Sequence, residues 1–162
     1  MINYLYKLYF RLFCGVKFGK STRIIFPVNL YGCEIGSNCL IGPFTEVQPD
    51  VYIGNNTCIQ SHSFICAGMK IGTNCFISHG VISANDKLPI FKNKIWKMQP
   101  PVIENNCMIG SGVKLLPGVV VKSGSKIGMG AILTKSTEEN ETWVSPAATK
   151  IKPTEKRIGF QK

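Results

Sequence analysis

Aliphatic residues recur every six positions along this chain, and a fixed period of this kind constrains the architecture before local propensity is weighed. They stand at Ile35, Ile41, Val47, Ile53, Ile59, Ile65, Ile71 and Ile77, and the register resumes at Ile103, Ile109, Leu115, Val121, Ile127 and Leu133. The position four residues later carries a small or medium side chain, such as Cys39, Thr45, Thr57, Ser63, Cys75, Cys107 or Ala131, so both positions face inward. Glycine follows the aliphatic residue at Gly36, Gly42, Gly54, Gly72, Gly110 and Gly128, as expected where a chain turns with little side-chain bulk. One such unit cannot cover its own aliphatic column, whereas units stacked at the ~4.8 Å spacing of paired strands bury it. The expected fold class is therefore all-β, a stack of parallel coils.

Two stretches leave the pattern. Residues 83–102 contain Pro89, Pro100 and Pro101 and read as one extruded loop, the kind of irregular excursion that usually carries function. Leu5, Leu8, Leu12 and Phe13 share one helical face within residues 3–13, which reads as a short helix capping the stack, with a membrane-surface anchor as the alternative. The chain of 162 residues is expected to form one domain over residues 1–152, with a cap at 1–20 and a tail at 153–162.

Nineteen Lys and Arg against nine Asp and Glu give a net charge of +10, which points to an anionic partner, and charge alone does not choose among a phosphorylated small molecule, nucleic acid and an acidic membrane surface. Thirteen of the nineteen basic residues follow residue 82. The aromatic interleaving that single-strand nucleic-acid binders use is missing, so nucleic acid is not an expected partner. Seven cysteines without a C-x-x-C pair fit a reducing cytoplasm rather than a disulfide framework. Lys7 and Arg11 interrupt the apolar N-terminal stretch, so no integral membrane segment is expected, although peripheral contact remains open.

The six-residue repeat over residues 28–135 resembles the hexapeptide-repeat acyltransferase superfamily. That resemblance implies a left-handed parallel β-helix, three hexads to a coil, assembled as a homotrimer. The handedness comes from the resemblance alone, since parallel crossovers are otherwise right-handed.

With eighteen residues to a coil, His62 falls one coil below Gly80, beside His79, so the only two histidines are expected on adjacent coils at one edge. Asn85 and Asp86 follow six residues after His79 at the root of the loop. Together they make a plausible polar cluster: two general bases, an amide to orient a nucleophile and a carboxylate to attract an ammonium. A zinc site of the kind found in β-helical carbonic anhydrases needs three histidines, so no metal is expected.

Gln60, Ser61, His62 and Ser63, then His79 and Gly80, then Asn85 and Asp86 with Pro89, resemble more closely the N-acetyltransferases of nucleotide-linked 3-amino sugars. This branch implies acetyl-CoA as co-substrate and a UDP- or dTDP-amino sugar as acceptor, in bacterial surface polysaccharide synthesis. It implies direct attack of the sugar amine on the thioester, Asn85 holding the amine, Asp86 the sugar or its ammonium, and His62 ahead of His79 as proton acceptor. It further implies a cofactor groove on the later coils, with Ser111, Gly112, Gly130, Ala131 and Lys135 as wall and Pro146 and Lys150 near the adenine and 3′-phosphate. Trp96 stacks on a base or packs on a neighbouring subunit. Two alternatives stand beside this reading: an O-acetyltransferase acting on a polysaccharide or small hydroxy compound, and a non-catalytic β-helix scaffold.

Overall fold

In the computed structural model, residues 14–89 and 97–150 are described, and they form nineteen two-residue strands wound into a left-handed parallel β-helix of about seven coils. The expected helical cap and the tail beyond residue 150 lie outside the described residues. Three sheets make the three faces. The first runs through Lys17–Phe18, Glu34–Ile35, Tyr52–Ile53, Lys70–Ile71, Val102–Ile103 and Val120–Val121. The second contains Leu40–Ile41, Cys58–Ile59, Phe76–Ile77 and Met108–Ile109, and the third contains Phe64–Ile65, Ile82–Ser83, Lys114–Leu115 and Ile132–Leu133. The coils extend beyond the 28–135 read from the repeat, from Lys17, inside the expected cap, to Trp143.

From Asn29–Leu30 to Ile132–Leu133 the second residue of each strand is buried in the interior. Ile41, Ile53, Ile59, Ile65, Ile71 and Ile77 have no exposed surface, and the six-residue columns form a single core. Ser83 occupies the inward position of its strand and is 1 % exposed, donating to Phe64 O at 3.0 Å and accepting from Cys66 N at 2.9 Å. The loop therefore begins at residue 84 rather than 83, because a polar side chain with both partners satisfied keeps the coil register that its chemistry disguises. Lys70 pairs with Tyr52, eighteen residues back, and with Val102, thirty-two residues ahead. The loop thus interrupts one coil without shifting the next.

The corner between the first and second faces is stitched from within by hydroxyl and thiol donors. Cys39 Sγ donates to Gly54 O at 3.2 Å, Thr57 Oγ1 to Gly72 O at 2.9 Å, Cys75 Sγ to Glu104 O at 3.0 Å, Cys107 Sγ to Lys122 O at 3.2 Å and Ser125 Oγ to Glu138 O at 2.8 Å. Each side chain satisfies a carbonyl of the next coil that the turn leaves without a strand partner. The interior cysteines read as small hydrophobes are also weak donors, and burial pushes the Cys33 thiol up to about 11. Thr57 additionally accepts from Cys75 N at 3.1 Å. Thr57→Val, which keeps the shape and deletes the hydroxyl, is expected to cost about 1–3 kcal/mol by orphaning both partners. A lower denaturant midpoint at unchanged slope is the signature to look for.

Candidate functional site

Successive corners from Gly32 to Gly80 each carry one residue in the left-handed region. At the first corner asparagine supplies it, as at Asn38, Asn56, Asn74 and Asn106, since its short polar side chain tolerates that conformation. At the second corner the occupants in successive coils are Phe44, His62, Gly80, Gly112 and Gly130. A phenylalanine and a histidine at φ 60° and 61° are costly there, and such strain concentrates at functional positions.

Backbone bonds lock this column. Gly80 N donates to Ser61 O at 2.9 Å, Gly112 N to His79 O at 2.8 Å and Gly130 N to Ser111 O at 2.8 Å. His62 and His79 are thus on adjacent coils of one edge, both exposed. Their rings make different contacts. The His62 ring lies over Phe44 with centroids 4.8 Å apart and planes tilted by 31°. His79 Nδ1 is 2.8 Å from Ser61 Oγ. One coil on, Ser78 Oγ and Ser111 Oγ are 2.7 Å apart. Ser111, Gly112, Gly130 and Ala131 share this edge, and Gly130, Ala131 and Pro146 line a cavity of about 270 Å³ with Ile132, Leu133, Trp143, Val144 and Ser145.

Asn85 and Asp86 sit elsewhere. The strand Ile82–Ser83 crosses the third face between His79 and Asn85, so the loop root stands at the next corner. Asn85 Nδ2 donates to Ala67 O at 3.1 Å, and Asn85 O accepts from Gln99 N at 2.8 Å, tying the two arms of the loop together. Asp86 Oδ1 accepts from Leu88 N at 2.8 Å and borders a groove of about 580 Å³. Lys87, Leu116, Pro117, Gly118, Val119, Thr134, Lys135 and Ser136 complete its wall. Lys135 therefore belongs with Asp86 and not with Gly130 and Ala131. Within one chain the expected cluster is two half-sites flanking the third face, imidazoles on one edge and carboxylate with lysines on the other. Lys150 is exposed in the tail, and Trp96 lies outside the described residues.

Three contributors escaped the sequence reading. Ser61 was findable, since it precedes His79 by one coil. Lys87 joins the groove through the loop path, which periodicity does not predict. Gln99 Oε1 is buried without a hydrogen-bond partner among the described residues and lies 4.0 Å from where a Cβ on Gly118 would stand, at the groove wall.

Comparison with known proteins agrees with the coils. The family described as bacterial transferase hexapeptide (six repeats) matches residues 32–67 and 100–135. A 2,3,4,5-tetrahydropyridine-2,6-dicarboxylate N-succinyltransferase of Wolbachia sp. subsp. Brugia malayi is 31 % identical over 112 residues, 66 % of this chain and 39 % of that protein. The bifunctional protein GlmU of Nitrosomonas europaea is 30 % identical over 143 residues, 78 % of this chain and 30 % of that one. The chain thus spans less than half the length of the curated relatives it matches. Among solved structures, a single-substitution mutant of AntD, an N-acyltransferase from Bacillus cereus in complex with dTDP and coenzyme A, aligns with TM-score 0.71 at 20 % identity over 94 % of this chain and 88 % of that one. A maltose O-acetyltransferase from Clostridium difficile 630 aligns with TM-score 0.61 at 21 % identity, covering 86 % and 69 %. By its repeat, its coils and these matches, the chain carries the repeats of the bacterial transferase hexapeptide family over residues 32–67 and 100–135.

Proposed function

We propose that this chain is an acyltransferase that moves the acetyl group of acetyl-CoA to the amine of a nucleotide-linked amino sugar in the cytoplasm, at a site completed between copies of a homotrimer. The observation that carries the reading is the groove at the loop root, which Asp86, Lys87 and Lys135 line together. A carboxylate recognises the ammonium of an amino sugar, and lysines recognise the diphosphate of its nucleotide carrier. Asn85 spends its Nδ2 on Ala67 O, which leaves Oδ1 as an acceptor for the amine N–H. The imidazoles on the other edge of the third face would meet this groove only across a subunit boundary, so the trimer supplies a site that one chain lacks. The cavity bordered by Gly130, Ala131 and Pro146 serves as wall for the pantetheine and adenine, with Ser111 and Gly112 lower on the same edge and Lys150 toward the 3′-phosphate. A neutral amine is nucleophilic enough to attack the thioester directly, with His62 and His79 on hand to take its excess proton.

The Ser61/His79 contact favours a second reading, transfer to a hydroxyl, because an alcohol needs a base during attack. Free-thiol release from acetyl-CoA against UDP- and dTDP-amino sugars and their hydroxy analogues separates the two. We expect turnover with the amines alone, and Asp86→Ala to lower kcat/KM about a hundredfold. Replacing both histidines by asparagine should reduce amine transfer without abolishing it. Turnover with only the hydroxy analogues would overturn the amine assignment, and calorimetry showing no acetyl-CoA binding would leave a scaffold.

A further inference from the structure

We propose that Ser61 is a positioning residue for His79: it holds the ring through Nδ1 so that Nε2 is the nitrogen presented to the acceptor, and His79 rather than His62 takes the proton. The inference rests on the acyl-transfer reading above.

The contact is 2.8 Å long and joins residues eighteen apart, the same point of two successive coils. It is no isolated surface rotamer. The backbone beneath it is fixed where Gly80 N donates to Ser61 O at 2.9 Å, and the backbone above it where Gly112 N donates to His79 O at 2.8 Å. Serine and imidazole are therefore presented to each other by the pitch of the helix itself. His62 stands differently. Its ring is packed on Phe44, which fixes the plane of the ring but directs neither nitrogen. Sequence alone ranks His62 first; the geometry reverses the order.

The bond decides what the ring can do. A neutral imidazole carries one hydrogen, so a nitrogen accepts a proton only if the other already holds that hydrogen. With Nδ1–H donating to Ser61 Oγ, the exposed Nε2 keeps its lone pair. In the transfer, the amine nitrogen attacks the thioester carbonyl carbon, the new N–C bond forms and the C–S bond breaks. The excess proton of the amine passes to Nε2, then to the departing CoA thiolate, and His79 ends as it began. While the ring is an imidazolium, its Nδ1–H to Ser61 becomes a charge-assisted bond and strengthens without rearrangement.

Nitrogen-15 NMR of the ring nitrogens, combined with steady-state kinetics on the full chain, tests this with Ser61→Ala and Ser61→Thr. The unsubstituted protein should show Nδ1 of His79 protonated and Nε2 bare. Ser61→Ala should let the hydrogen redistribute toward Nε2 and lower kcat about ten- to a hundredfold, part of what a whole general base contributes, with both KM values nearly unchanged. Ser61→Thr, which keeps the hydroxyl, should restore the tautomer and the rate. A resting His79 protonated on Nε2, a Ser61→Ala enzyme at full rate, or an acyl group trapped on Ser61 Oγ would each overturn the proposal. If the unsubstituted chain transfers acetyl to no acceptor, the acyl-transfer reading fails, and the NMR outcome still decides whether Ser61 governs the ring.

Discussion

Gly54→Ala is expected to destabilise the protein by about 3 kcal/mol or more, far above the usual cost of one added methyl. A Cβ there would lie 2.6 Å from the carbonyl carbon of Gly72 and 2.7 Å from both Gly72 O and Thr73 N, all backbone of the next coil. That backbone has little freedom to retreat, because Gly54 N donates to Ile71 O at 2.8 Å, Gly72 N to Ile103 O at 2.8 Å and Asn74 N to Asn55 O at 3.0 Å. Opening the coils enough for the methyl breaks this ladder. Gly80→Ala is the control: φ is +66° and the new Cβ meets nothing within 4 Å, so only the left-handed penalty of about 1–2 kcal/mol applies. Thermal melts should rank the two clearly, at about 2–4 °C per kcal/mol for a chain of this size. Equal melting temperatures would show that the coil spacing is softer than the hydrogen-bond ladder implies.

Ile59→Asp is expected to leave no folded protein. Ile59 is 0 % exposed and sits in the inward column between Ile41 and Ile77, its strand partners on the adjacent coils. A carboxyl group there would protonate to avoid burying charge, and even neutral it would find aliphatic neighbours where it needs hydrogen-bond partners, at a cost of several kcal/mol. Losing the isoleucine packing adds about 2–5 kcal/mol, and the sum rivals the 5–15 kcal/mol that holds a typical domain together. In a stack where each coil contacts only its neighbours, a failure at this point also divides the core into two short pieces. Ile59→Val, by contrast, should fold and lose about 0.5–1.5 kcal/mol. Circular dichroism and soluble yield of the pair are the measurements; an Ile59→Asp protein melting within a few degrees of the parent would contradict the inward column.

The inward columns were legible because a period of six repeats one environment, and a run of isoleucines at that spacing matches neither the 3.6-residue period of a helix nor the simple alternation of a flat strand. Ser83 kept the register but hid it, since a serine looks like the start of a loop until its two backbone partners are seen. The site was legible along an edge and not around the coil. Steps of eighteen correctly stack Ser61 and His62 beneath His79 and Gly80. The step of six from His79 to Asn85 suggested closeness, yet on a three-sided coil six residues carry the chain across a whole face to the next corner. The same error separates Lys135 from Ala131, with the strand Ile132–Leu133 between them. The path of the loop, which brings Lys87 and Gln99 to the wall near Gly118, follows from how its arms meet, and no repeat encodes that.

The loop leaves one coil and rejoins the next with its ends already joined by Gln99 N to Asn85 O, while Lys70 and Val102 pair as though nothing intervened. Its length is thereby uncoupled from the spring that carries it. Lengthening such a segment costs only about 0.6 kcal/mol per doubling, so residues beyond the tied root can be exchanged wholesale with little strain on the core. If the loop root takes the acceptor as proposed, exchanging this one segment changes the acceptor, and lineages that diversify their substrates would be expected to do so at this corner first.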